Sequence, residues 1–160
     1  MLKTAYVAFG ANMGDGESNV RAAYEALGRV PGVYTEGLSN MYITKPWGYA
    51  DQPDFTNACG KVKTTLPPDA LLGACLGIEA AMGRVRTIKN GPRVIDIDLL
   101  LFEDETRDTP FLKLPHPGIT ERTFVLRPLL DLAENGMVLG LDVAGALRRL
   151  TDRENAGISC

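Results

Sequence analysis

Asp96 and Asp98 are the only polar residues in the run VIDIDLLLF, from Val94 to Phe102. A strand sends residues i and i+2 to one face, so both carboxylates project together, with α-carbons about 6.6 Å apart at a rise of about 3.3 Å per residue. Ile95, Ile97, Leu99 and Leu101 then point the other way, into a core. Two ionised acids this close repel, and burying them unpaired is costly. Magnesium answers both problems, because it is commonly held by one or two carboxylates plus substrate phosphates. Arg84 and Arg86 precede the turn Asn90-Gly91-Pro92 and Arg93 follows it. Guanidinium forks of this kind match phosphate oxygens. The same pattern also suits an exposed strand face with solvated acids.

The elements that must position these groups can be read in chain order. Thr4 to Phe9 predicts a first strand, Gly10 to Asp15 a loop, and Asp15 or Ser18 the start of a helix reaching Leu27. Val33 to Ile43 reads as extended. Thr44 to Asp54 is loop chemistry and carries Trp47, the only tryptophan, which either covers the core or meets a ligand. Phe55 to Lys63 predicts a strand with Phe55 and Asn57 on one face.

Pro67-Pro68-Asp69 opens a second helix, with Leu72, Cys75, Leu76, Glu79 and Met82 at helical spacing along one stripe. An acid there either pairs with a nearby arginine at the stripe's edge or faces a ligand. Glu103 to Pro110 reads as a charged connection and Leu114 to Gly118 as a rigid loop around His116, the only histidine. A helix follows over Val125–Ala133, then a short strand over Val138–Leu141. Asp142 caps a last helix to Leu150, and Thr151 to Cys160 reads as a frayed end.

The chain of 160 residues, 45% hydrophobic and 23% charged, predicts one domain, residues 1–160, with a proper core. A net charge of −3 disfavours extended nucleic-acid binding. Cys59, Cys75 and Cys160 are too widely spaced for a zinc site or a disulfide framework, and a lone histidine excludes a multi-histidine metal centre. The apolar stretch in MLKTAYVAFGANMGD is too short for a signal peptide or membrane helix. The expectation is a cytoplasmic protein without membrane contact.

Taken together, several motifs resemble one family. These are F-G-A-N-M-G-D, Y-x-T-x-P-x-G with Q-P-D-F-x-N, I-E-x-x-x-G-R-x-R, G-P-R-x-I-D-I-D-L-L-L-F and L-P-H-P-x-x-x-x-R-x-F-V-L. In this order they resemble the 6-hydroxymethyl-7,8-dihydropterin pyrophosphokinases, which transfer pyrophosphate from ATP to a pterin alcohol in folate biosynthesis. The resemblance implies an α+β fold of ferredoxin-like type, with a mostly antiparallel sheet and helices packed on it. The predicted strand-helix-strand-strand-helix-strand order is compatible with that.

It also implies that Asp96 and Asp98 hold two magnesium ions and that Arg84 and Arg93 act with them in catalysis. Arg84, Arg86, Arg93, His116 and Arg122 would bind ATP, the co-substrate. Thr44, Trp47, Phe55, Asn57, Glu79 and Phe124 would bind the pterin, with Phe55 and Phe124 sandwiching the ring. The implied partners are these small molecules, and the implied state is a monomer. The pattern departs at Asn90, where many members carry tryptophan, at Lys45, where proline is common, and at Pro117, where some carry tyrosine. Two other classes stay open: a nucleotidyltransferase, which would place a third acid on a neighbouring strand, and a binding protein without activity.

Overall fold

The computed structural model describes residues 1–46, 50–85 and 91–157. The sites expected at Trp47 and Arg86, and the departure at Asn90, lie outside the described residues. The sheet is built from β1 (Lys3–Ala11), β2 (Val33–Leu38), β3 (Tyr42–Thr44), β4 (Phe55–Thr64) and β5 (Asp96–Phe102), in the order β2-β4-β1-β5 with β3 also on β4. These neighbours all pair antiparallel. With α1 (Gly16–Gly28) after β1 and α2 (Pro68–Ala81) after β4, this is the expected ferredoxin-like arrangement. Gly10 and Ala11 continue β1 rather than opening the loop, because each has a ladder partner on β4.

Both faces of the sheet are buried. Val20, Ala23 and Leu27 of α1 pack on one face with Leu71, Cys75 and Ile78 of α2. On the other face lie α3 (Thr123–Asp131) and α4 (Val143–Asn155). Asp15 caps α1, its carboxylate accepting the Ser18 N–H at 3.1 Å. Asp142 caps α4 in the same way through Gly145, at 2.9 Å. That last helix continues to Asn155, into the segment expected to be frayed.

Two expectations about faces are corrected. A bulge between Tyr6 and Val7 of β1 pairs them with Leu101 and Leu99, skipping Leu100. One extra residue reverses the alternation, so Leu101 packs with Tyr6 on the α3 and α4 side instead of beside Ile97. On α2 the buried stripe is Leu71, Cys75 and Ile78, while Leu76 is 47% exposed. The helix is apolar around most of its circumference, so spacing alone did not single out one face.

The connection after β5 holds a hairpin, β6 (Arg107–Asp108) with β7 (Lys113–Leu114). The strand expected over Val138–Leu141 is likewise a hairpin, β8 (Met137–Val138) with β9 (Leu141–Asp142). No helix among the described residues is long and apolar enough to cross a membrane.

Candidate active site

The floor of the site is set by sheet register. Gly10 of β1 pairs with Asn57 on one side and Asp96 on the other, and Ala8 pairs with Cys59 and Asp98. Asp96 and Asp98 therefore share a face, with the smallest side chains beside them. A Cβ on Gly10 would meet Asn57 Oδ1 at 3.5 Å, an ordinary contact. The glycine is thus not demanded by backbone geometry; it leaves open space between an amide and a carboxylate.

Charge at this site forms a chain of alternating sign. Glu79 on α2 is 4% exposed, where an unpaired carboxylate would cost several kcal/mol. Its Oε2 accepts the Ile97 N–H at 2.8 Å and its Oε1 meets Arg84 at 3.2 Å. The same arginine contacts Asp96, whose other oxygen meets Arg93 at 3.2 Å. Among the described residues, two acids and two arginines balance along that chain.

Asp98 stands outside the chain and has no ion-pair partner among the described residues. Burial, then the charges of Asp96 and Glu79, push its carboxyl well above the usual range, against the opposing pull of Arg122 and Arg84. A carboxylate pair with one uncompensated member suits a divalent cation. The described residues hold no cluster of three or more acidic, histidine or cysteine ligands. A magnesium ion here would therefore take its remaining oxygens from substrate phosphate and water.

Two cavities meet at Asp98. The first lies over the sheet and is walled by Phe55 and Phe124, with Asn57, Thr44 and Lys45 on one side and Arg93 and Arg122 on another. Asn57 Nδ2 donates to Thr44 Oγ1 at 2.7 Å, which fixes the amide. The Arg93 guanidinium lies 5.3 Å from the Phe55 ring centre, and that of Arg122 lies 5.9 Å from Phe124. Both flat aromatic faces thus carry planar cations.

The second cavity follows the outer edge of β5. Leu72 and Leu76 of α2, with Ile97, Leu99, Phe111 and Leu112, make its apolar wall; Glu79, Asp98, Lys113 and His116 supply its polar groups. Burial, followed by the nearby Arg122 charge, holds His116 below the usual imidazole range, with Asp96 pulling the other way. Its Nδ1 accepts the Gly118 N–H at 3.1 Å. A neutral ring bonded this way carries its proton on Nε2. The edge of β5 is closed by Glu79 on the Ile97 N–H and by the His116 N–H on the Leu100 carbonyl, at 2.9 Å.

The structure therefore gathers Asp96, Asp98, Arg93, Arg122, Thr44, Phe55, Asn57 and Phe124 around one cavity. His116 is placed at the other. Glu79 lines the edge cavity and not the aromatic one, and it also pairs with Arg84, so each of the two sequence readings holds in part. Sequence reasoning missed Gly10, Lys45 and Asn12. Asn12 is 5% exposed. It accepts the Arg93 N–H at 2.9 Å and donates to Gln52 at 2.9 Å and to the Pro53 carbonyl at 3.0 Å. Extending β1 by two residues would have put Gly10 beside the aspartates; nothing in the local pattern marks Asn12 as buried.

A family model described as 7,8-dihydro-6-hydroxymethylpterin-pyrophosphokinase matches residues 6–134. A 2-amino-4-hydroxy-6-hydroxymethyldihydropteridine pyrophosphokinase of Methylorubrum extorquens is 44% identical over 149 residues, 93% of this chain and 94% of that protein. The Bacillus subtilis protein of that name is 41% identical over 134 residues, covering 84% and 80%. The folic acid synthesis protein fol1 of Schizosaccharomyces pombe is 44% identical over 131 residues, 82% of this chain but only 18% of that longer protein. A crystal structure of Plasmodium falciparum HPPK-DHPS with pteroate aligns with 99% of this chain and 44% of its own, at a TM-score of 0.73 and 16% identity. That last likeness concerns the fold.

Proposed function

The chain belongs to the 7,8-dihydro-6-hydroxymethylpterin-pyrophosphokinase family, and on that premise we propose that its two cavities are the two halves of one transfer site. The protein moves pyrophosphate from ATP to 6-hydroxymethyl-7,8-dihydropterin, giving AMP and the pterin diphosphate. The observation that carries this reading is that both cavities are lined by Asp98. Two substrates bound in them would meet at the aspartate pair.

The aromatic cavity takes the pterin. Phe55 and Phe124 offer flat faces where the arginines now rest, and a bicyclic ring stacks there favourably. Asn57, held by Thr44, reads the ring's polar edge. Trp47 belongs to this half by the family pattern. Glu79 serves it from behind, by fixing Ile97 and Arg84 and so the strand that carries both aspartates.

The edge cavity takes ATP. Its apolar wall suits the base, and its polar end lies toward Asp98. His116 donates from Nε2 to a phosphate oxygen without adding charge. Arg84, Arg93 and Arg122 reach phosphate oxygens once ATP takes the place of Asp96 and the aromatic faces beside them, Arg84 keeping its pair with Glu79, with Arg86 beside them by the family pattern. Magnesium, two ions by that pattern, would be held by Asp96 and Asp98 and would neutralise charge on the phosphates. Arg84 and Arg93 share that task in catalysis, stabilising charge as the pterin hydroxymethyl oxygen attacks the β-phosphorus and AMP departs. The 160 residues act as a single catalytic domain on these small molecules.

The test is nucleotide separation after mixing protein, magnesium, ATP and 6-hydroxymethyl-7,8-dihydropterin. AMP formed in step with pterin diphosphate supports the reading. ADP would mean an ordinary kinase, and released pyrophosphate with a nucleotidylated product a nucleotidyltransferase. ATP left unconsumed would favour a binding protein.

A further inference from the structure

The aromatic cavity is assembled from three elements: β4 with Phe55 and Asn57, β3 with Thr44, and the first turn of α3 with Phe124. The ladder joins β3 to β4. Among the described residues, the hydrogen bonds that tie the β3 segment to α3 converge on Asp131. The Tyr42 hydroxyl donates to its two oxygens at 3.0 and 2.8 Å, and the Asn40 N–H donates to Oδ2 at 3.1 Å.

Each end of this connection reaches the cavity. Tyr42 pairs with Asn57 across the ladder and stands two residues before Thr44, the partner of the Asn57 amide. Asp131 follows Phe124 by seven residues on one helix, about two turns, so both lie on the same helix face. Pro128 lies between them and offers no N–H to the Phe124 carbonyl, so what holds Phe124 and Asp131 in one body is the burial of Val125, Leu126 and Leu129 against the sheet.

Asp131 is also the wrong charge for its position in the helix. It is the last residue of α3, whose last turn holds no basic residue. A carboxylate there faces the negative end of the helix dipole. Helix stability alone would favour asparagine or lysine, so the acid is better explained by what it holds across the gap.

We propose that Asp131 is a positioning residue for the pterin cavity. It clamps β3 to α3 so that the Thr44–Asn57 edge and the Phe124 face keep their spacing before substrate arrives. It acts through Tyr42 and Asn40 and touches no reacting atom. The proposal rests on the aromatic cavity being the pterin site.

The experiment is equilibrium titration of wild type, Asp131→Ala, Tyr42→Phe and the double variant, with 6-hydroxymethyl-7,8-dihydropterin and separately with a non-hydrolysable ATP analogue. Each single variant should bind pterin about five- to tenfold more weakly, the loss suited to one exposed charge-assisted bond. Affinity for the analogue should stay within about twofold, and the double variant should be no weaker than the worse single one, since both remove the same link. Asp131→Asn separates positioning from simple stabilisation. It removes the misplaced charge, so it should melt at or above the wild-type temperature and still bind pterin more weakly. Pterin affinity unchanged in Asp131→Ala, parallel loss of analogue binding, or additive effects would overturn the clamp while leaving the function intact. A wild-type chain that binds no pterin would overturn both.

Discussion

On one side of Asp98 the polar groups are fixed in the free protein: Thr44 holds Asn57, and both sit on ladder-paired strands. On the other side the wall comes from α2 and the β6–β7 hairpin, and its Phe111 is 88% exposed. The first cavity is defined by register, which a slip of one residue would destroy. The second takes its floor from the core residues Ile97, Leu99 and Leu112 and its rim from Leu76 and Phe111, which found no place in the core. A pocket of the first kind is made to recognise one edge pattern, and one of the second kind to hold a flat apolar body loosely. A pterin and a nucleotide base make those two different demands.

The shared wall is where the comparison breaks most completely. Asp96→Ala and Asp98→Ala should each lower turnover by about a hundredfold or more, taking a lost metal contact as several kcal/mol and about 1.4 kcal/mol per tenfold. Their melting temperatures should part. Asp96→Ala strips a partner from Arg84 and Arg93 and should melt lower than wild type. Asp98→Ala removes a repelled, buried acid and should melt no lower. Equal destabilisation of the two would contradict the balanced chain Glu79–Arg84–Asp96–Arg93. Near-normal magnesium-dependent activity in either variant would remove the metal assignment.

Glu79 tests the same chain from behind the strand. With side-chain exposures of 5% and 9%, Glu79 and Arg84 form a buried pair, and deleting one partner of such a pair costs about 3–5 kcal/mol. Glu79→Ala should therefore lose stability of that order in urea unfolding. Pterin affinity, extrapolated to the folded fraction, should move less than in the aromatic variants. A selective loss of pterin binding with unchanged stability would return Glu79 to direct substrate contact.

The two cavities also differ in how far the sequence revealed them. Strand alternation put Asp96 with Asp98 and Phe55 with Asn57 correctly, because period two leaves little choice once a strand is assigned. Leu101 was misplaced because a bulge depends on the partner strand, which local pattern does not show. The α2 stripe was misread because a helix apolar on most sides can be turned without penalty to the pattern. That error hid the second cavity, since Leu76 lines it instead of filling the core and Leu72 lines it from the core's margin. Arg84 was legible as a basic residue near the aspartates, and a nearby arginine was one of the two readings for Glu79; that one guanidinium joins Glu79 to Asp96 follows only from packing. Asp131 carried no signal, because its role depends on the distance between two elements.

The aromatic cavity is sharpened by removing one face at a time. Phe55→Ala and Phe124→Ala should each weaken pterin binding by about 1–3 kcal/mol, the scale of base–aromatic stacking. Binding of an ATP analogue should change less. Titrations with equal losses for both ligands would mean that the cavity had been misplaced or the fold disturbed.

The smallest expected effect lies at Phe111, and it tests the edge cavity directly. A phenylalanine this exposed contributes little to the core, so its removal should leave the melting temperature almost unchanged. It stands at the mouth of an apolar cleft whose other end is Asp98 and His116. If a purine lies along that wall, Phe111 covers part of its face, and Phe111→Ala should weaken ATP binding by about 1 kcal/mol, near the lower end of stacking energies. Inorganic tripolyphosphate carries the phosphates without the base, so its binding should be the same in both proteins. Pterin affinity should also hold, because Phe111 is not among the residues lining the aromatic cavity. Equal weakening of ATP and tripolyphosphate would show that Phe111 acts on the phosphate end. No change for ATP would leave the base elsewhere and undo the contrast between the two sides of Asp98.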